Sequence, residues 1–360
     1  MRNVLIITYL ILAMITSVVA QDSYGDSRNR ARNDHSGNLI RVTFHNHGML
    51  GSIKGDNSLH YSGEWPINSG MVQMGNASSF FGTQMRIYAG LDSLGDSVYQ
   101  DIHPIAFCQG WDPNIFSHDT LGNFLGFEPL PGYYNLAQKE TDPLHAVAMS
   151  HEAFTWPPYW PDKIEDIQDS GWRGAWNGYF GKDQKNADQE SYYVLDDYQF
   201  KKRVSGLKMH LPIESEPDRG GLGLRQDVRG MQWSNPDAED CIFWIYNLTN
   251  IGELDHFKGV FGLNVGASIG ANMTDNTDYD DDCATFYREI GLTVNYDWDN
   301  VGTAGYSPVP WAGFAFLESP GNATDGIDND GDGLNAGGGK IIDAEEFILS
   351  YNICLLYTSD

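Results

Sequence analysis

Basic side chains are scarce in this sequence: 22 Lys and Arg stand against 49 Asp and Glu, for a formal net charge of −27. Such a field repels phosphate backbones and anionic lipid headgroups, which argues against nucleic acid as a partner and favours cations. Cysteine is equally sparse. Cys108, Cys241, Cys283 and Cys354 fit no zinc or thiol-redox spacing, and a disulfide and buried free thiols both remain open. There is no G-x-S-x-G, no H-E-x-x-H, no Walker loop and no G-x-G-x-x-G after a strand, so no reaction is identifiable. Beyond residue 20 no run is apolar enough to span a bilayer, and no long helical period is visible in residues 39–150.

What is present begins with an address. Residues 1–20, MRNVLIITYLILAMITSVVA, carry one charge at Arg2, an apolar run from Val4, and small residues before Gln21. This pattern predicts a signal peptide cleaved at Gln21, and a secreted or cell-surface protein with no membrane span in the mature chain. At the other end CLLYTSD (354–360) resembles translated sequencing-adapter sequence, which predicts an artefactual tail and truncation near Ile353.

Between the ends the reading is mainly β, as antiparallel β-sandwich domains with long aromatic-rich loops. Residues 21–38 are polar and are expected to be disordered. An N-terminal β domain is expected over 39–150. In LIRVTFH, Ile40, Val42 and Phe44 alternate with Arg41, Thr43 and His45, the period of a strand. QMRIYAGL (84–91) and LHAVAMS (144–150) are further candidates. Residues 151–235 are dense in Trp, Tyr, Pro and Gly, and their prolines exclude regular structure around 157–161, so an ordered loop insertion is expected there. A β-sandwich region follows over 236–319, with strands expected in CIFWIYNL, KGVFGLNVGAS, REIGLTVNYDW and WAGFAFLES.

The sharpest motif is DGIDNDGDG, within an Asp-rich segment at 320–346. Asp328, Asp330 and Asp332 alternate before Gly333, with Asp325 just upstream. Carboxylates at this spacing surround one point and repel one another unless a hard, oxygen-seeking cation neutralises them; Ca2+ fits. Position twelve of an EF-hand counted from Asp328 is Gly339 rather than Glu, and Asp343, Glu345 or Glu346 could supply the closing carboxylate. The expected ligands are Asp325, Asp328, Asp330, Asp332 and Asp343, and the alternative is a solvated acidic linker. The loop is closer to aspartate-rich extracellular calcium repeats of the thrombospondin type 3 kind. DQKNADQE (183–190) and DNTDYDDD (275–282) are weaker acidic candidates. His45 and His47 share a strand face, but no third ligand is signalled and a metal is not expected there. The Trp and Tyr residues of 156–180 suit either a sugar-stacking platform or a local aromatic core, and the core is favoured.

Several phrases, GEWPINSG, WPPYWPDK, AWNGYFGKDQKNADQESYYVLDDY, RGGLGLRQDVRGMQWSN and AFLESPGNATDGIDNDGDG, together resemble large secreted proteins of Bacteroidetes, Ignavibacteria and related marine bacteria. The resemblance spans most of the mature chain. It implies export and a calcium-type loop, often in a longer chain that sometimes ends in a type IX sorting domain, and it implies no activity. The resulting expectation is a secreted, calcium-stabilised protein with a structural or binding role, whose partners are calcium and an extracellular glycan or surface protein. A carbohydrate-binding module and a secreted glycan-active hydrolase are the alternatives.

Overall fold

The computed structural model describes residues 24–51, 59–84, 87–100, 105–109, 117–118, 124–200, 212–253, 255–273, 279–317 and 352–359. The chain is mainly β. One sheet contains β1 (Arg32–His35), β2 (Val42–His45), β3 (Met49–Gly51), β4 (Met71–Gln84) and β16 (Phe257–Asn272) in that order, with β7 (Ile105–Gln109) also on β4. Two short ladders, β5 (Ile87–Leu91) with β6 (Ser97–Gln100) and β8 (Ser117–His118) with β9 (Phe124–Leu125), stand apart.

The second sheet is eight-stranded and antiparallel throughout. It runs from β10 (Glu128–Pro129) through β13 (Gln189–Asp196), β14 (Leu224–Gln232) and β15 (Cys241–Asn250) to β20 (Asn352–Ser359), then β19 (Trp311–Phe316), β18 (Leu292–Asp297) and β17 (Asp282–Tyr287). A final hairpin pairs β11 (Asn177–Gly178) with β12 (Gly181–Lys182). Helix is confined, among the described residues, to α1 (Leu136–Thr141), capped by the Asn135 side chain, and to single 3-10 turns. No helix among them is long and apolar enough to cross a membrane.

The two sheets pack face to face. Val42, Phe44 and Met74 from the first, with Ile40 just before β2, meet Tyr193, Leu195, Val228, Ile242 and Trp244 from the second in one buried core. Alternation explains the inward set of β2, yet Thr43 and His45 on its other face are buried as well. The segment around Tyr61 lies against this strand, where Thr43 N donates to Tyr61 O and Tyr61 N donates to Thr43 Oγ1.

A third layer covers the outer face of the second sheet. Trp160 and Trp176 are wholly buried against Tyr192 and Val194 of β13, with Leu130, Tyr133 and Ala148, and Trp156 and Trp172 pack on them. Each of these four indoles has its N–H satisfied: Trp156 by Met149 O, Trp160 by Ala175 O, Trp172 by Asp166 Oδ2 and Trp176 by Glu190 Oε2. Large flat side chains thus bury area without secondary structure and without stranding a polar atom.

Three expectations are corrected. Residues 24–38 are ordered rather than disordered, because their polar side chains reach partners distant in sequence: Arg30 pairs with Glu128, Asn33 donates to Val147 O, His35 meets Ser191 Oγ and Asn38 donates to Cys241 O. Within the stretch expected to be loop, Gln189–Asp196 and Leu224–Gln232 are strands of the large sheet; β13 is covered on both faces, which erases its alternation. LHAVAMS is not a strand of either sheet: its Ala146–Ser150 part is buried and forms isolated bridges, Val147 with Tyr134 and Met149 with Ser191, and hydrogen bonds to Arg32 and Glu190.

Candidate metal centre

At one end of the β17–β18 hairpin three carboxylates converge. Asp281 precedes β17, Asp297 ends β18, and Asp299 lies in the turn beyond. An oxygen of each lies within 4.8 Å of the others. The hairpin sets this up, since Asp282 and Asp297 are register partners in the ladder. The turn does the rest: Val301 N donates to both Asp297 Oδ1 and Asp299 Oδ1 at 3.0 Å, and Asn300 takes a left-handed conformation with φ 62°. Asn tolerates that region and Asp closes turns of this kind through its own backbone.

Asp297 is the informative member. It is only 4% exposed, and its Oδ2 has no hydrogen-bond partner among the described residues. A buried carboxylate oxygen left unpartnered is costly, and costlier beside two more acids. No ion pair with a described Lys, Arg or His offsets the three. The donor set is oxygen only, which suits Ca2+ and does not suit a zinc or copper site. Asp281, Asp297 and Asp299 would supply three of the six to eight oxygens calcium takes, the rest being backbone carbonyls or water.

The centre is tied into the fold. Asp282 Oδ2 accepts from Ile269 N of β16, and Asn300 Oδ1 accepts from Val309 N. Ile269, Val309 and Ala312 pack together just beneath. A cation here would therefore hold the seam where the two sheets meet.

The expected ligands Asp325, Asp328, Asp330, Asp332 and Asp343 all lie outside the described residues. Of DNTDYDDD, Asp281 is the member that joins the triad. Asp297 and Asp299 were not anticipated, though D-W-D-N at 297–300 repeats the alternating spacing of 328–330. The DQKNADQE acids are not brought together. Asp183 accepts from Trp176 N, Asp188 from Ser234, and Glu190 is buried with Arg229, Trp176 Nε1 and Tyr179 N. Burial pushes the Glu190 carboxyl up and Arg229 opposes it.

His45 and His47 are buried, and His60, which no motif flagged, joins them. Burial, followed by the Arg30 and His45 charges, holds His47 well below the ordinary imidazole range, so it is neutral. Cys241 and Cys283 are free thiols; Cys241 is buried, which with Asp240 raises it to about 11.

A groove of about 540 Å3 opens between β16 and β17–β19, lined by Phe261, Leu263, Phe286, Thr293, Asn295 and Phe314. Its lining includes no acid, histidine or cysteine, so it lacks the facing carboxylates that glycoside hydrolysis requires. The flat aromatics of 156–180 that would stack on a sugar are largely spent on one another. Comparison with protein-family models, with curated proteins and with solved structures finds no match.

Proposed function

We propose that this chain is an exported, calcium-stabilised β-sandwich protein of the cell surface or extracellular space, with a structural or binding role. The observation that carries the reading is the Asp281, Asp297 and Asp299 triad with its unpartnered, buried Asp297 oxygen. A net charge of −27 supports it, as do the signal-like segment 1–20 and the DNDGDG loop. Extracellular calcium is plentiful enough that sites binding at only about 10⁻⁴–10⁻³ M serve this purpose.

Melting curves with calcium and with chelator provide the test, on the mature chain, on Asp297→Asn and on Asp330→Ala. A cation that binds only the folded state at tenfold above its Kd stabilises by about 1.4 kcal/mol. Calcium should raise the melting temperature of the wild type, and each variant should lose its own site's share. A wild type whose melting is the same in calcium and in chelator would overturn the reading.

A further inference from the structure

We propose that the calcium held by Asp281, Asp297 and Asp299 binds a glycan: it takes two neighbouring hydroxyls of an uncharged sugar, whose apolar face lies on Trp298. This rests on the calcium reading above and assigns that site a ligand. Asp297 is buried, whereas Asp281 and Asp299 are exposed, so a cation among them has a sealed side and a side open to solvent. The sealed side is marked by Asp297 Oδ2, which has no hydrogen-bond partner among the described residues. Calcium takes about six to eight oxygens, so three carboxylates leave positions for water or for oxygens of a bound molecule.

An unused aromatic side chain stands at the margin of the centre. Trp298 lies between Asp297 and Asp299 in the chain, is 73% exposed, and makes no hydrogen bond or ring contact among the described residues. Trp160 and Trp176, by contrast, are wholly buried with their N–H groups bonded. An indole left in water forgoes its burial, and its flat face is a surface that the C–H groups of a sugar ring can cover. Tyr279, two positions before Asp281, is exposed as well. Trp311 is half-exposed against Tyr296, the residue before Asp297. Exposed aromatics, which the 156–180 layer does not offer, thus neighbour the three carboxylates in the chain and in the ladder.

Charge selects the ligand class. Three carboxylates with one divalent cation leave the centre formally at −1, in a chain of net charge −27. That field repels phosphate, sulfate and carboxylate groups. It does not repel hydroxyls, and calcium accepts neutral oxygens such as carbonyls and water. Two hydroxyls on neighbouring carbons replace two bound waters with oxygens that do the same work at the metal, so the exchange loses little. The ring that carries them brings an apolar face for the indole, which water does not.

The test uses the full mature chain. Native electrophoresis through galactomannan, an uncharged polysaccharide with neighbouring hydroxyl pairs, should retard the protein in calcium and not in chelator. Trp298→Ala should weaken the apparent affinity about tenfold and keep the calcium-dependent melting shift. Asp297→Asn should abolish the retardation. Terbium, a hard oxygen-seeking stand-in for calcium, gives a reading on the wild type alone. Galactomannan should displace about two of its bound waters, counted from luminescence lifetimes in H2O and D2O. A wild type that calcium stabilises but galactomannan neither retards nor dehydrates overturns the glycan and leaves the calcium centre standing. Retardation that survives chelator, or is unchanged in Trp298→Ala, overturns it too. So does calcium-dependent binding to phosphatidylserine vesicles in place of galactomannan. Melting that ignores calcium altogether removes the calcium reading itself, and the glycan with it.

Discussion

Single buried titratable groups set how this molecule responds to pH, and two of them act in opposite directions. His35 lies between Phe44 and Trp244 with Nε2 on Ser191 Oγ; burial, then the His151 charge, lowers it to about 3. The unfolded chain takes up that proton near 6.5, so the contribution is complete above 6.5 and is lost as pH falls towards 3. Asp197 is the reverse. Burial raises it to about 7 against the N–H groups of Leu222 and Leu224, so its contribution is complete below 3.8 and is lost as pH rises through 7. A bare pH–stability curve mixes the two, whereas His35→Gln removes one proton and keeps an amide donor for Ser191. Denaturant unfolding at pH 7, 5.5 and 4 should show the wild type losing more stability than the variant on acidification. The difference should approach one proton, at most about 1.4 kcal/mol per pH unit. Parallel curves would mean that His35 is not held neutral in the fold.

At the level of elements, the aromatic layer makes a prediction that separates structure from sugar recognition. Trp160 and Trp176 are fully buried and interlocked edge to face at 5.5 Å, while Trp298 is 73% exposed. Acrylamide should quench Trp298 freely and leave Trp160 and Trp176 almost untouched, measured as the fluorescence lost in single Trp→Phe variants. Trp160→Ala should cost about 3–5 kcal/mol of stability. Free quenching of the inner pair would return the layer to a binding platform. Such a layer is legible in composition, since aromatics set among Pro and Gly need burial. Strands β2, β15, β16, β18 and β19 are legible too, through alternation or unbroken β-branched and aromatic runs. The rest was hidden for physical reasons. Order in residues 24–38 depends on partners such as Glu128 and Ser191, roughly a hundred or more positions away, and no local pattern encodes them. Ile290 and Trp298 continue the alternation of β18 but fall outside it, because Gly291 turns left-handed before the strand and the Asp297–Val301 bond turns the chain after it. The acidic centre was half visible: the alternation in D-W-D-N can be read, but its meeting with Asp281 is a property of the hairpin.

For the molecule as a whole, a net charge of −27 means that screening by a simple salt favours the compact state. Self-repulsion between surface carboxylates is screened over a Debye length of about 10 Å at 0.1 M, so sodium chloride alone should raise the melting temperature. A calcium effect counts as a site only beyond that background. The discriminating measurement holds ionic strength near about 0.15 M with sodium chloride and exchanges part of it for calcium or for magnesium at equal concentration. The triad offers carboxylates in an irregular arrangement, two on a turn and one across a hairpin. Calcium accepts such geometry, whereas magnesium demands a near-octahedral shell and gives up water reluctantly. Calcium should therefore add a few degrees that magnesium does not match, on the scale of about 2–4 °C per kcal/mol for a chain of this order of size. In Asp297→Asn the calcium increment should shrink while the sodium chloride response persists, since one carboxylate among so many barely alters the field. Equal shifts from calcium, magnesium and sodium chloride at fixed ionic strength would assign the whole effect to screening and remove the acidic centre as a site.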